Sequence, residues 1–121
     1  MIEITQGMFL DRTGIDLTEA MRGYGVDASK QADIILNRWE KRIYKEAMNY
    51  GQPIRDNELS ELQKDTLIDV VCEYGNYSFH KGDYFANGGI DEDGKEIKDL
   101  LPKLMQDLKD VGIFRVNLKG R

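Results

Sequence analysis

The one cysteine and the one histidine are the residues of this sequence best suited to chemistry, and they lie near each other. Cys72 precedes His80 by eight residues, and Asp83 follows three residues later. In a helix, Cys72 and His80 share a face but lie about 12 Å apart along the axis. Because a nucleophile and its base must be about 3 Å apart, this pair does not predict catalysis. We expect Cys72 to be a small core residue and His80 to be stabilised by the dipole at a helix end.

A calcium loop is the second chemistry that the residue types suggest, in the acidic run 91–94. When Gly94 is placed at the glycine of an EF-hand loop, the first ligand position falls on Gly89 and the closing carboxylate position on Leu100. Neither residue has a ligating side chain, so the run predicts an acidic surface turn. One cysteine and one histidine are also too few for a common zinc site. With no nucleotide-binding or hydrolase motif in the chain, we expect no metal, no cofactor and no enzymatic activity.

A line of basic residues indicates a function more clearly than the Cys72–His80 pair or the acidic run 91–94. The spacing i, i+3, i+4 and i+7 places four basic side chains along one face of a helix: Arg38, Lys41, Arg42 and Lys45. They lie opposite the apolar positions of the same segment, with Glu40 and Glu46 at the flanks of the stripe. One interpretation is a solvated helix face. The other is a contact surface for phosphate or an acidic partner, and the net charge of −5 favours a protein partner over DNA.

The C-terminal segment is the second candidate contact element. After residue 112 the apolar residues alternate with a period of two, as in a strand, and two basic residues end the chain. The candidate partner-binding residues are Ile113, Phe114, Arg115, Val116, Asn117, Leu118, Lys119 and Arg121. No second run in the chain is long enough to pair with this one. The segment either packs against its own helices or adds a strand to a sheet of another protein.

Helices must position these residues. Apolar residues recur every three or four positions over about 29–50, 57–80 and 95–111, which predicts two long helices and a shorter one. Residues 1–24 predict only one or two short helical turns. The fold class is therefore all-α: a small helical bundle with a β-prone C-terminal tail. We expect a helical domain over residues 1–112 and an extended, partner-binding tail over residues 113–121.

Three local features bear on where these helices begin and whether they are straight. The second long helix begins either near Asn57 or at a capping box formed by Ser60 and Gln63. Gly75 inside it costs about 1 kcal/mol relative to alanine, which indicates close approach of a neighbouring helix or a kink. Pro102 is tolerated best if the last helix begins near Asp99, and an earlier start predicts a bend.

Composition limits the class of protein. The 121 residues fit one domain, and the one cysteine excludes an internal disulfide. Seventeen basic against 22 acidic residues make a globally basic nucleic-acid binder unexpected. The sequence shows neither a signal peptide nor a membrane-spanning stretch, so we expect a cytosolic, reducing compartment.

The order of segments resembles the head–tail connector (adaptor) proteins of tailed bacteriophages. The likeness comprises the stretch from Phe9 to Leu17, a charged helix bearing Trp39, and the helix residues 67–77 with their ending 80–83. An acidic loop, a leucine-rich segment and the basic tail complete it. The resemblance covers most of the chain, although its motifs are loose.

The resemblance implies a non-enzymatic protein of the virion neck, assembled in the host cytoplasm. Such adaptors form a ring, typically of twelve copies, docked on the portal protein and followed by a stopper or tail-completion protein. The ring extends the channel through which DNA passes without sequence-specific binding. In these families the C-terminal segment commonly reaches into the portal, which would be the role of residues 113–121. The basic stripe would then lie at a subunit or portal interface, with a position in the channel as the alternative.

A small helical DNA-binding or regulatory module is the competing hypothesis. It requires two helices joined by a short turn, with a basic recognition helix. The link between the two long helices is slightly long for this motif, and the second helix is acidic near its start at Glu58, Glu61 and Asp65. These features favour the connector.

Overall fold

The fold is described from a computed structural model, which covers residues 1–23, 27–50, 53–81 and 94–114, and only the backbone of residues 94–98. Five α-helices lie in these ranges: α1 (Gln6–Thr13), α2 (Leu17–Met21), α3 (Ala28–Asn49), α4 (Glu61–His80) and α5 (Gly94–Asp110). A 3-10 turn, Asp56–Glu58, precedes α4. The described ranges contain no strand, and the predicted all-α class is confirmed. No helix within them is both long and apolar enough to cross a membrane.

Helix α3 is the centre of the bundle. Its apolar stripe is buried by contacts with α2, α4, α1 and α5, and α5 also packs along α4. The main buried side chains are Phe9 of α1; Leu17 and Met21 of α2; Ala32, Ile35, Leu36, Trp39, Ile43 and Ala47 of α3; Leu67, Val70, Val71, Cys72 and Tyr74 of α4; and Leu101, Leu104, Met105 and Leu108 of α5. The predicted helical stripes therefore form one continuous core.

The helix ends follow from local sequence. Thr5, Asp16 and Asp27 each accept a hydrogen bond from a backbone N–H in the first turn of α1, α2 and α3. These bonds satisfy donors that have no partner within the helix. Helix α1 ends at Gly14, whose φ of 78° is the left-handed conformation that glycine adopts without strain. The two short N-terminal turns are thus present as α1 and α2.

The start of α4 is the capping box, not the earlier alternative at Asn57. The Ser60 hydroxyl accepts from the Gln63 N–H at 3.2 Å, and the Gln63 side-chain oxygen accepts from the Ser60 N–H at 2.9 Å. The Gln63 amide nitrogen also donates to the Val111 carbonyl at 3.0 Å. The cap therefore links the start of α4 to the end of α5.

We expect Ser60→Ala to lower the free energy of unfolding by about 1 kcal/mol, because it leaves the Gln63 N–H without its acceptor. Urea denaturation monitored by circular dichroism measures this change. Ser29→Ala, at an exposed position in the first turn of α3, is the matched control and should stay within about 0.5 kcal/mol of the parent. Equal losses in the two variants would contradict a capping role for Ser60.

Two details of the helices bear on the sequence-based predictions. Helix α5 begins at Gly94, close to the predicted start at residue 95 and earlier than the alternative near Asp99, so Pro102 lies in its interior. Proline has no N–H, and the Lys98 carbonyl therefore receives no bond from position 102. The apolar spacing placed Leu62 in the buried line of the second long helix, but Leu62 is 65% exposed because it lies on the outward side of α4, in line with Asp65 and Asp69.

Candidate partner interface

The four predicted cations lie along the solvent side of α3 but differ in exposure. Lys41 and Lys45 are exposed, whereas Arg38 and Arg42 are half-buried. The Arg42 guanidinium is 3.9 Å from the Glu46 carboxylate, one turn further along. The structure therefore brings the four residues together on one surface, with the two lysines at its most accessible part.

Two exposed apolar side chains extend this surface, and the sequence-based prediction missed both. Ile34 is 50% exposed and Met48 60% exposed, and each is seven residues from Lys41. Seven residues are almost two helical turns, so all three side chains share one side of α3. The spacing was present in the sequence, but the prediction considered only the basic residues of this face. We use the name outer α3 face for Ile34, Arg38, Lys41, Lys45 and Met48.

The opposite charge lies on the outward side of α4. Leu62, Asp65, Asp69 and Glu73 recur every three or four residues and are all exposed; we call this set the outer α4 face. Asp69 accepts from the Arg12 side chain at 2.6 Å, and Glu73 from the Lys103 ammonium at 2.8 Å. The bundle thus presents a basic surface on one long helix and a partly compensated acidic surface on the other.

The predicted tail begins inside the core. The Gly112 and Ile113 N–H groups donate to the Lys109 and Leu108 carbonyls at 2.9 and 3.1 Å. This is a Schellman motif, and it closes α5 at Gly112, whose φ is 81°. Phe114 is 6% exposed, and its ring centroid is 5.5 Å from that of Tyr50.

These contacts move the start of the candidate tail. Ile113 and Phe114 were assigned to an extended partner-binding segment, but they pack against the helices because the α5 cap turns the chain back onto the bundle. Arg115, Val116, Asn117, Leu118, Lys119 and Arg121 lie outside the described residues. The predicted partner-binding role is therefore kept for residues 115–121.

Cys72 and His80 have the positions predicted for non-catalytic residues. Cys72 is 1% exposed in the core, and burial raises the pKa of its thiol to about 11, so the nucleophilic thiolate is scarce near neutral pH. His80 is exposed at the last residue of α4, with its ring edge-on to that of Phe79. No group of His, Cys, Asp and Glu able to hold a metal occurs among the described residues. Asp83 and the acidic residues 91–93 lie outside the described ranges.

A partly buried polar cluster beside α3 was not predicted. The Met1 ammonium is 2.8 Å from one Asp56 carboxylate oxygen, and the Tyr44 hydroxyl donates to the other at 2.7 Å. The same hydroxyl accepts from the Ile2 N–H at 3.1 Å. These contacts fix the segment before α1 against α3 and the 3-10 turn.

Glu40 is the least expected member of this region. It was placed on the solvated flank of the basic stripe, but it is 3% exposed, and its Oε2 has no hydrogen-bond partner within the described ranges. Glu40 is buried because position 40 is four residues after Leu36 and three before Ile43. Contacts on several sides of α3 widen its buried face to include this position. Burial raises the pKa of Glu40 to about 7, partly offset by the Met1 ammonium.

An open cleft of about 780 Å³ lies next to this cluster. Residues 1–7 form one wall, and Asp33, Asn37 and Glu40 of α3 form the other. The Gln6 amide bridges the walls by donating to Asp33 at 2.7 Å and to the Ser29 carbonyl at 3.1 Å. The cleft is therefore a shallow, polar and acidic surface that is partly closed by its own side chains.

Comparison of the chain with protein-family models, with curated proteins and with solved structures found no match.

Proposed function

We propose that this protein is a structural connector of a tailed bacteriophage: a ring-forming adaptor in the virion neck that docks on the portal protein and joins head to tail. The proposal rests on the resemblance in segment order described above. The all-α bundle, which the apolar periodicity predicted, is compatible with this role. In this role the protein binds other copies of itself, the portal and the next neck protein, and performs no chemistry.

The outer α3 face is the single observation that best supports a role in assembly. It combines accessible cations with Ile34 and Met48, two large apolar side chains that are half or more exposed. The two apolar side chains lie at the two ends of the line of cations, so that in this role a partner covers the apolar groups and the charges between them orient it. The cations lie on a regular helix, outside the buried cluster around Glu40.

The DNA-binding alternative has less support from the helices. Residues 50–60 connect α3 to α4, whereas a helix-turn-helix uses a turn of about three or four residues. The exposed side of α4 is acidic and would repel phosphate. In this alternative, duplex DNA would bind to the basic face of α3. Such binding would be steeply salt-dependent, so measuring it at several salt concentrations tests the alternative.

Docking on the portal is the decisive test. We expect the full-length chain to co-sediment with purified rings of the portal protein encoded beside it, and electron microscopy to show added density at one end of the ring. A variant that ends at Phe114 keeps every described core residue, so it should retain its helical circular dichroism and lose most of the binding. Lys109→Asp, on the exposed side of α5, is a charge-changing control that should bind normally.

Two results would contradict the proposal. Absence of portal binding by the folded full-length chain would exclude the connector role. Tight, salt-sensitive binding to duplex DNA in a gel shift, without portal binding, would favour the DNA-binding module. If the variant ending at Phe114 bound as well as the parent, the connector would stand, but residues 115–121 would lose their assigned role.

A further inference from the structure

The outer α3 face and the outer α4 face share a pattern of side chains, although the α3 face is longer. Each is a line of three charged side chains that begins next to an exposed apolar residue, and α3 carries a second apolar residue at its far end. The α3 line extends about 21 Å from Ile34 to Met48, and the α4 line about 16 Å from Leu62 to Glu73. The charges are basic on one helix and acidic on the other.

We propose that the outer α3 face of one copy binds the outer α4 face of a second copy. This interface would be the subunit contact of the proposed ring, and in that respect it rests on the proposed function. The partner is chosen by charge complementarity: an acidic surface that complements Lys41 and Lys45 is present on the same chain, at similar spacing. Exposed Leu62 would then be covered by an exposed apolar residue of α3.

The register identifies one pair that does not depend on helix direction. Lys41 is seven residues after Ile34 and seven before Met48, and Asp69 is seven residues after Leu62. If the helices run parallel, Leu62 meets Ile34; if they run antiparallel, Leu62 meets Met48. In both arrangements Lys41 is opposite Asp69.

The two faces lie on different helices, so the contact is heterologous. Each copy uses its α3 with one neighbour and its α4 with another, and such contacts propagate head to tail until they close into a ring or continue as a filament. Within the described residues, neither lysine of the outer α3 face is occupied by a hydrogen bond or an ion pair.

Intrachain partners do not remove the acids from this role. The Asp69 side chain is 65% exposed despite its bond to Arg12, and that of Glu73 is 44% exposed despite its bond to Lys103. A carboxylate has about four acceptor positions, so each can accept a second cation. Asp65 is exposed as well and offers a third acid to the neighbouring copy.

One line of side chains buries less area than a stable protein interface, which needs about 1,000 Å² or more. We therefore expect weak self-association of the isolated chain, strengthened by ring closure on the portal. Because the contact is largely ionic, the self-association should weaken as the salt concentration is raised from about 0.02 M to 0.5 M.

Charge reversal at the central pair tests this interface. Sedimentation of the full chain at low salt should show concentration-dependent association, and Lys41→Asp or Asp69→Lys alone should weaken it by about tenfold or more. The double variant, Lys41→Asp with Asp69→Lys, should recover most of the association. Lys109→Asp is the control for net charge and should resemble the parent. Melting temperatures establish that each variant is folded.

Cysteine cross-linking tests the heterologous geometry. Cys72 is buried, so new surface cysteines report on contacts between copies. Lys41→Cys mixed with Asp69→Cys should give a disulfide-linked dimer at low salt, while each variant alone should give little. Efficient cross-linking of Lys41→Cys with itself would indicate a two-fold contact through α3 and overturn the proposal.

The outcomes separate this interface from the proposed function. A parent chain that stays monomeric at high concentration and low salt, or a double variant that fails to recover, contradicts the α3–α4 contact. If that chain still binds portal rings, the connector role stands and its subunits meet through another surface. If the chain associates through this pair but never binds the portal, the self-association stands and the connector role falls.

Discussion

Replacing Gly75 by alanine should lower the free energy of unfolding by about 1–3 kcal/mol, although alanine is the better helix former. A Cβ at position 75 would lie 2.7 Å from the Trp39 ring and 2.8 Å from the Phe9 ring. Both rings are almost completely buried and pack against each other with centroids 5.6 Å apart. Neither can move without disturbing the contact of α4 with α1 and α3. Urea denaturation of the two proteins measures the loss.

Gly7→Ala is the matched control for this prediction. Gly7 is exposed in the first turn of α1, and an added Cβ would meet only the Thr5 hydroxyl, at 3.7 Å. Without a clash, the propensity of alanine should leave stability unchanged or raise it by up to about 1 kcal/mol. If both variants were stabilised to the same extent, the close packing of α1, α3 and α4 around Gly75 would be incorrect.

Features that depend on a few neighbouring residues were predictable from the sequence. The Ser60–Gln63 box, one of the two predicted starts, begins α4, while Asp27 caps α3 and Gly112 ends α5, because side-chain or glycine geometry acts on the adjacent backbone. Gly75 also belongs here: close approach of other helices was one of the two explanations for a glycine at that position. The sequence identified the position of the close approach, and the structure shows that the side chains of Trp39 and Phe9 make it.

Features that depend on how many elements surround a helix were not predictable. Glu40 was assigned to a solvated flank because a two-sided helix was assumed, whereas α3 is packed on several sides. Leu62 falls on the spacing of the apolar residues, but this spacing does not show which side of α4 faces the bundle. For the segment after residue 112 the sequence left packing and partner binding both open, because alternating residues do not reveal that Phe114 packs against Tyr50.

The sequence predicted the basic residues of the candidate contact surface but not the surface of α4 that we propose they bind. The four basic residues follow from spacing along one helix, which the sequence contains. The proposed pairing of these residues with the outer α4 face could not be predicted from the sequence. It depends on both faces pointing outward, which the tertiary fold determines. Ile34 and Met48, at the two ends of the outer α3 face, were not assigned to any surface, and their exposure in the fold identifies them.

The second large effect concerns Glu40, whose carboxyl group lies among the Met1 ammonium, Asp56 and Tyr44. Burial raises its pKa from 4.5 to about 7 because the ionised form loses hydration that the structure does not replace. The folded chain therefore binds a proton more tightly at this position than the unfolded chain. Since folding is then coupled to proton uptake, stability falls as the pH rises from about 4.5 to about 7 and is level above that range.

Glu40→Gln should remove this component of the pH dependence. At pH 4.5 the variant and the parent should be similarly stable, since the buried group is neutral in both. Above pH 7 the variant should be more stable by up to about 3 kcal/mol, from about 1.4 kcal/mol per pKa unit. The difference between the two unfolding curves over this pH range measures the contribution of Glu40 alone, because the other carboxylates are common to both proteins.

Glu46→Gln provides the matched control on the same helix. Glu46 is half-buried and lies 3.9 Å from Arg42, so its loss should change stability by less than about 1 kcal/mol. If Glu40→Gln were instead destabilising at pH 8, the ionised Glu40 would have to be stabilised by the Met1 ammonium more than it is penalised by burial. The sign of this one difference thus decides whether the cluster beside α3 weakens the bundle at neutral pH or strengthens it.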